Sequence, residues 1–359
     1  MMKNKIFAFF LFFILNLLSA QFLLCSDEEP ELLNSKKLML TNVTALLEVP
    51  VAKGKSNIFC AGFNMAWDIL AEDVFDQPFK VEGDPEMIQL LNNKAISKRD
   101  IPDKDYFVIA GLKEEGIERR LLKGERDKFG NDMPVDIRLD NHNDIVVYAH
   151  FIKEPKFTYE FESLEEPVMF NGFSAVSAFG ILNYDYGEAS QNVGKQVSVF
   201  DYQDDKDFII LLKTNIENEQ LILAKTAPQK TLLETVNNVL SRVKKNQPSD
   251  LVKGDTLQIP KIDFNLSHNF EELSGKYISN VVLRNPLIAK ALMIVRFKFN
   301  QEGGMQNSDL GVGTLGMSTT VKQKKLIFDK PFLVMLKLRD AKLPYFAMWA
   351  GNSELFSKE

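Results

Sequence analysis

This chain of 359 residues is poor in the side chains that usually carry covalent or metal chemistry. It has two cysteines, Cys25 and Cys60, and three histidines, His142, His150 and His268. Two cysteines exclude a fold held by a disulfide framework. Three histidines, none at metal-ligand spacing, leave few members for a zinc site or a Ser-His-Asp triad, and His150 lies in an apolar run where a structural role is expected. The reading is of a protein that is not an enzyme and needs no cofactor. A basic surplus is missing too: Lys and Arg total 43 against 49 Asp and Glu, a net charge of −6 with a pI near 5.4. Nucleic acid and anionic membrane, which demand a basic face, are excluded as main partners. There is no internal repeat and no linker long enough to separate domains.

With 45% hydrophobic and 26% charged residues, the composition is that of a globular domain with ample core. The chain opens with Met1-Met-Lys-Asn-Lys5, then the apolar run Ile6 to Leu18, then the small pair Ser19-Ala20. That pattern predicts a secretory signal over residues 1–20, and a secreted chain of residues 21–359 whose mature end falls between Gln21 and Asp27. The run is short for a membrane span and is broken by Asn16. Cys25 follows Phe-Leu-Leu, which lacks the small residue that precedes a lipidated cysteine. No membrane attachment is expected once the signal is cleaved.

Along the chain, Leu38 to Val49 has apolar spacing compatible with a helix ended by Pro50, and Asn57 to Cys60 reads as a short strand. Phe63 to Phe75 reads as a helix with Met65, Ile69 and Val74 inward. Asp84-Pro85 starts another. Tyr106 to Ala110 is a strand and Lys113 to Lys123 a charged helix. Ile145 to Phe151, Val197 to Tyr202 and Phe208 to Leu212 are strands, and Phe157 to Phe179 is extended with a turn at Asn171-Gly172. Thr231-Leu-Leu-Glu234 is a capping box that opens a helix. Intermixed strands and helices give the fold class α+β in a single domain.

The last sixty residues carry the functional signal. Met293 to Asn300 alternates bulky apolar and basic residues, as a strand with one buried face does. It stops at Gln301-Glu302-Gly303-Gly304. Met305 to Lys325 is then mostly Gly, Ser, Thr, Asn, Gln and Lys, too poor in apolar side chains to pack on a core. Leu326 to Leu338 reads as a buried strand, Arg339 to Lys342 as a turn, and Leu343 to Ala350 as the partner strand of a closing hairpin.

This order resembles the serpin family, whose C-terminal signature is a strand, a hinge rich in Glu and Gly, an exposed reactive loop and a strand carrying Pro-Phe. The matching residues are Asn300-Gln-Glu-Gly303, Phe328-Asp-Lys-Pro331-Phe332-Leu-Val and Pro344-Tyr-Phe-Ala-Met-Trp-Ala-Gly351. Weaker matches upstream are Asn57-Ile-Phe59, Val146 to Phe151 as a central strand, and Ile259 to Phe264. The resemblance implies a serpin-like fold of mixed sheets with surrounding helices, and a secreted, monomeric inhibitor of serine proteases acting by loop cleavage and insertion. The alternative it leaves open is a non-inhibitory binding or carrier protein.

On this resemblance the hinge is Gln301, Glu302, Gly303 and Gly304, and the reactive bond is Met317–Ser318. Leu315–Gly316 and a bond after Lys322, Lys324 or Lys325 remain alternatives. A Met at the cut suits a protease with an apolar primary pocket. It also implies that the first helix precedes a last strand of the main sheet at Asn57. The sequence departs from the family at Ala61-Gly62 and Asn64, where a Ser-Pro and a second serine are usual, and at the hinge, which lacks the family's threonine and alanines. Between Phe75 and Asp144 the chain is shorter than the family's run of helices and strands. On insertion Gly304, Ser308, Val312 and Thr314 face inward acceptably, whereas Gln306 becomes a buried amide.

Other motifs carry less. Gly311-Val-Gly313-Thr-Leu-Gly316 spells a dinucleotide fingerprint but lacks the strand before it and the helix after it. Glu165-Glu166 and Asp204-Asp205 read as solvated turns. Lys322-Gln-Lys-Lys325 is a compact basic patch, read as the solubilising flank of a strand. Asn42-Val-Thr44 and Asn265-Leu-Ser267 satisfy the glycosylation sequon.

Overall fold

The stretch Asp144-Ile-Val-Val-Tyr-Ala-His-Phe-Ile-Lys153 is apolar at nearly every position, as a strand covered on both faces must be. In the computed structural model, which describes residues 30–83, 86–130, 134–281, 285–305 and 322–358, it forms strand β5 (Asp144–Lys153) at the centre of a sheet. Its side chains divide by parity. Ile145, Val147, Ala149 and Phe151 enter the main core, and Val146 and Tyr148 enter a second, smaller cluster on the opposite face.

That sheet has six strands. Along its path run β1 (Leu33–Asn34), β15 (Ile262–Asn269), β17 (Leu287–Phe299), β5 and β4 (Tyr106–Leu112), with β16 (Lys276–Tyr277) also beside β17. β5 and β17 are parallel neighbours, paired from Leu287 opposite Asp144 to Phe297 opposite Lys153 with one bulge between Ile288 and Lys290. β15 and β4 flank them antiparallel.

A seven-stranded sheet holds β11 (Val197–Asp204), β12 (Asp207–Leu212), β13 (Glu219–Lys225), β20 (Phe332–Leu338), β21 (Phe346–Ala350), β3 (Ser56–Cys60) and β2 (Thr41–Thr44), in that order. A four-stranded sheet runs β19 (Lys325–Ile327), β14 (Thr256–Pro260), β10 (Ala178–Ile181) and β7 (Glu162–Ser163). Two short pairs complete the strands: β18 (Gly303–Met305) with β6 (Phe157–Tyr159), and β8 (Val168–Phe170) with β9 (Ser174–Val176). Leu32–Glu359 is one compact unit, and its class is α+β.

Five α-helices are described. α1 (Gly62–Ile69) lies against β4 and β5, and α3 (Ile117–Phe129) covers the other face of the six-stranded sheet. α2 (Glu86–Leu91), α4 (Glu188–Gly194) and α5 (Leu232–Lys245) are peripheral. The α5 capping box forms in modified shape. Thr231 Oγ1 accepts from Glu234 N at 3.1 Å, while the Glu234 carboxylate accepts from Lys230 N rather than from Thr231 N.

Several expectations need correction. Leu38 to Val49 is not a helix: Thr41–Thr44 is an edge strand with Thr41, Val43 and Thr44 inward, paired in parallel with β3. Three of its four residues are Thr or Val, whose branched side chains favour a pleated surface. β3 belongs to the seven-stranded sheet, not to the main six-stranded one. The helix expected at Lys113 starts later, because Lys113–Glu115 is a single 3-10 turn closed by Gly116 in the left-handed region at φ 68°. The helix at Phe63 continues into a π turn, Leu70–Val74, and buries Trp67 and Leu70 with Met65, while Ile69 and Val74 are half-buried. Leu326 to Leu338 is two strands in two sheets, divided by Asp329 to Pro331, since proline cannot donate to a ladder. The Asp84-Pro85 helix start lies outside the described residues, which give that helix from Glu86.

Candidate functional site

β17 ends where Asn300 folds back on the chain. Its Oδ1 accepts from Glu302 N at 3.1 Å, its Nδ2 donates to Glu302 Oε1 at 2.6 Å, and this side-chain turn ends the ladder. The hinge then runs alongside the segment that follows β5. Phe157 N donates to Glu302 O at 3.1 Å, Phe161 N donates to Gln301 O at 3.0 Å, and Gly303 and Met305 pair in parallel with Phe157 and Tyr159. At Gly303 the backbones are so close that a Cβ would stand 2.4 Å from Glu160 N, so only glycine fits. Gly304 has no such constraint.

Glu302 is the electrostatic anchor of this turn. Its carboxylate pairs with Lys298 on β17 at 3.0 Å and with Lys156, which also faces Glu154 at 3.4 Å. A cavity of about 290 Å³ opens here, lined by Lys156, Glu160, Asn215, Glu302, Gly303 and Gly304. Beneath lie the rings of Phe157, Phe161, Phe179 and Phe299, with Phe157 to Phe161 at 4.7 Å and Phe179 to Phe299 at 5.1 Å. Gln301 to Gly304, the residues expected to be a hinge, lie at one end of the β5/β17 seam.

At that end a buried ionic cluster joins the two large sheets. Lys153, the last residue of β5, donates to Asp105 Oδ2 at 2.6 Å and to Glu219 of β13. Glu219 also accepts from the Tyr345 hydroxyl at 2.5 Å and from Thr214 Oγ1 at 3.1 Å. Burial raises the Tyr345 hydroxyl pKa well above its ordinary value, with the Glu219 charge adding to it. A half-unmade cluster of this kind is costly, so its completeness fixes the end of β5.

On the outer face, α3 spans the seam. Ile117 and Leu121 of α3 pack with Ile109, Val146, Tyr148 and Ile294, which come from β4, β5 and β17. His150 of β5 and Glu125 of α3 form a buried pair at 3.0 Å, so the histidine has the satisfied structural role expected of it. Beneath the opposite face, Gly62 at the head of α1 stands against Ala149: a Cβ there would be 3.3 Å from the Ala149 Cβ. Ala61 is fully buried, and the Asn64 amide oxygen is buried with no hydrogen-bond partner among the described residues.

The far end of the loop is clamped as well. Asp255 has no exposed surface and accepts from Lys324 N at 2.7 Å, Lys324 Nζ at 3.0 Å and Val252 N at 2.9 Å. Lys325 N donates to the Tyr202 hydroxyl at 3.3 Å, and β19 pairs in parallel with β14. Lys324 and Lys325 therefore belong to an ordered strand and its approach. Lys322 is exposed. The bonds Met317–Ser318 and Leu315–Gly316, and the glycines at 311 to 316, lie outside the described residues.

Sequence reasoning missed Lys156, the Lys153 cluster and Asp255, whose partners are remote along the chain. Lys298 was detectable, since it precedes Glu302 by four residues. No group of His, Cys, Asp and Glu among the described residues is placed to share a metal ion, and no described helix is long and apolar enough to cross a membrane.

No protein-family model and no curated protein matches the chain. Among solved structures it is similar to serine protease inhibitor (serpin)-12 of Manduca sexta, at 12% identity and a TM-score of 0.44, over 72% of this chain and 78% of that one. It is also similar to Serpin48 of Tenebrio molitor, described as a highly specific serpin, at 11% identity and a TM-score of 0.47, over 83% of this chain and 92% of that one.

Proposed function

We propose that the chain is a secreted, serpin-like inhibitor of serine proteases, with residues 1–20 as its leader and residues 21–359 as a monomeric domain. The loop from Met305 to Lys325 is the bait, and Met317–Ser318 is the reactive bond. The protease serine oxygen bonds to the Met317 carbonyl carbon, the peptide C–N bond breaks, and Ser318 leaves as the amine with a proton. Residues up to Met317 are then tethered at one end only, with the protease attached as an ester.

The observation that carries this reading is the parallel pairing of β5 with β17. A segment that turns back from the end of β17 runs antiparallel to both strands. Inserted between them, it replaces one parallel ladder with two antiparallel ones, each slightly more stable per residue. The stretch from Gly303 to Met317 is longer than the ten residues of β5, enough to fill the seam. The ordered approach to β19 at Lys324 favours a cut N-terminal to it over one after Lys324 or Lys325. The apolar Met at the cut matches a protease with an apolar primary pocket.

The test mixes the protein with elastase-like and chymotrypsin-like proteases. An SDS-stable adduct is expected, with a nicked form that melts well above the intact one. Cleavage by every protease without adduct, and an unchanged melting point, would sink the inhibitor reading. The second reading is a non-inhibitory binding or carrier protein on the same fold. It is favoured by Ala61, Gly62 and the Asn64 oxygen, buried without a hydrogen-bond partner among the described residues, where the family has a Ser-Pro and a second serine.

A further inference from the structure

The two sequons sit in opposite surroundings. Asn42-Val43-Thr44 lies in β2, at the end of the seven-stranded sheet, which among the described residues is paired with β3 alone. Thr41 and Val43 point inward, at 8% and 3% exposure, and Asn42 between them is exposed. Its amide makes one long contact, Asn42 Nδ2 to Asn57 Oδ1 at 3.4 Å. Asn265-Leu266-Ser267 lies in β15, which pairs with β17 on one side and whose Leu266 and Ser267 pair with β1 on the other. Asn265 is half-buried opposite Arg296, and its amide oxygen is shut off from solvent.

We infer that Asn42 is a site of N-linked glycosylation and that Asn265 carries no glycan in the folded protein. The inference rests on the reading that the chain enters the secretory route. The donor is an oligosaccharide linked to a lipid diphosphate. Asn42 Nδ2 loses one proton and bonds to the anomeric carbon as that carbon's bond to the diphosphate breaks, and the diphosphate leaves with the electron pair. The product amide keeps one N–H, which is all that the Asn57 contact requires. Asn265 is half-buried on a strand paired on both sides, with the buried Arg296 opposite it, so a bulky sugar has far less room there than at the exposed Asn42.

The position also gives the glycan a use. Among the described residues the outer edge of β2 has no partner strand, and an open edge is a template for pairing with another chain. Just before it, Met39 and Leu40 are 81% and 41% exposed, an apolar step beside that edge. An oligosaccharide on Asn42 screens both from a second molecule.

The experiment secretes the chain from a eukaryotic cell behind its own leader and, in parallel, behind a heterologous leader that forces entry to the lumen. Intact mass is read before and after peptide N-glycosidase, for wild type, Asn42→Gln and Asn265→Gln. The expected result is one glycan on wild type and Asn265→Gln and none on Asn42→Gln, with a several-fold larger aggregated fraction for Asn42→Gln. An unglycosylated chain behind the heterologous leader, or a glycan lost only in Asn265→Gln, overturns the inference. A glycan on Asn42 with the heterologous leader alone upholds it and removes the secretion reading instead.

Discussion

Gly303 stands opposite Phe157 in a parallel ladder, and no other residue type has room there, since a Cβ would lie 2.4 Å from Glu160 N. Gly303→Ala is therefore expected to push the hinge off β6 while leaving the two large sheets intact. Proteolysis between residues 306 and 321 should accelerate several-fold, with a stability loss of about 1–2 kcal/mol. Equal cleavage rates for variant and wild type would show that the hinge is not held by this pairing.

Glu302 ties the turn to both sides of the seam through Lys298 and Lys156. Glu302 and Lys156 are about a third exposed and Lys298 less so, and together the pairs contribute roughly 0.5–1.5 kcal/mol and weaken with salt. Glu302→Gln should speed proteolysis between residues 306 and 321 at low ionic strength, and the difference should vanish in high salt. A salt-independent difference would assign Glu302 a packing role.

The buried pair of His150 and Glu125 fastens α3 to β5, whereas among the described residues α3 meets β17 through the apolar packing of Ile294 and its neighbours. If β5 and β17 separate, α3 should travel with β5. Glu125→Leu leaves His150 without its acceptor and should cost about 1–3 kcal/mol. Amide exchange should rise along Ile117–Phe129 and stay unchanged in β17. Protection lost equally from both would mean that α3 is not fastened to one side.

Two groups give opposite pH dependences. Burial holds the His268 pKa at about 4, Glu271 raising it and Lys36 lowering it, while Ser35 Oγ bonds its Nδ1 at 2.8 Å. The folded value is below the ordinary 6.5, so stability is full above 6.5 and is lost as pH falls toward 4, by about 3 kcal/mol. Burial raises Asp68 from 3.8 to about 6, with Lys94 lowering and Glu72 raising it. Its penalty is absent below 3.8 and complete above 6. Since Asp68 is only half-buried, that penalty is about 1 kcal/mol. Asp68→Asn should raise the melting point at pH 7.5 and not at pH 3.8, and His268→Gln should flatten the loss between pH 6.5 and 4. Parallel melting-point curves for variants and wild type would refute both assignments.

Legibility in the sequence tracked how local each cause is. Ile145 to Phe151 and Met293 to Asn300 announce themselves by composition and alternation, and Thr231 with Glu234 announces a helix start within four residues. Thr41 to Thr44 failed because the apolar spacing around it fits a helix, and only its pairing with β3 decides otherwise. Leu326 to Leu338 failed at Pro331, where one apolar run serves two sheets. The ionic cluster was unreadable because Lys153, Asp105 and Glu219 are brought together by topology alone. The same holds for Asp255 and Lys324 at the distal end of the loop.

Cys60 closes β3 with no exposed surface, and burial pushes its thiol up to about 12. At neutral pH it has almost no thiolate, and alkylating reagents need both thiolate and access. β3 is interior to its sheet, between β21 and β2. The thiol also lies beside Gly62, which stands against Ala149 of β5, so Cys60 sits in the core shared by the two large sheets. Alkylation of Cys60 therefore waits on the opening of that core, and its rate is a clock for the event that needs no added label.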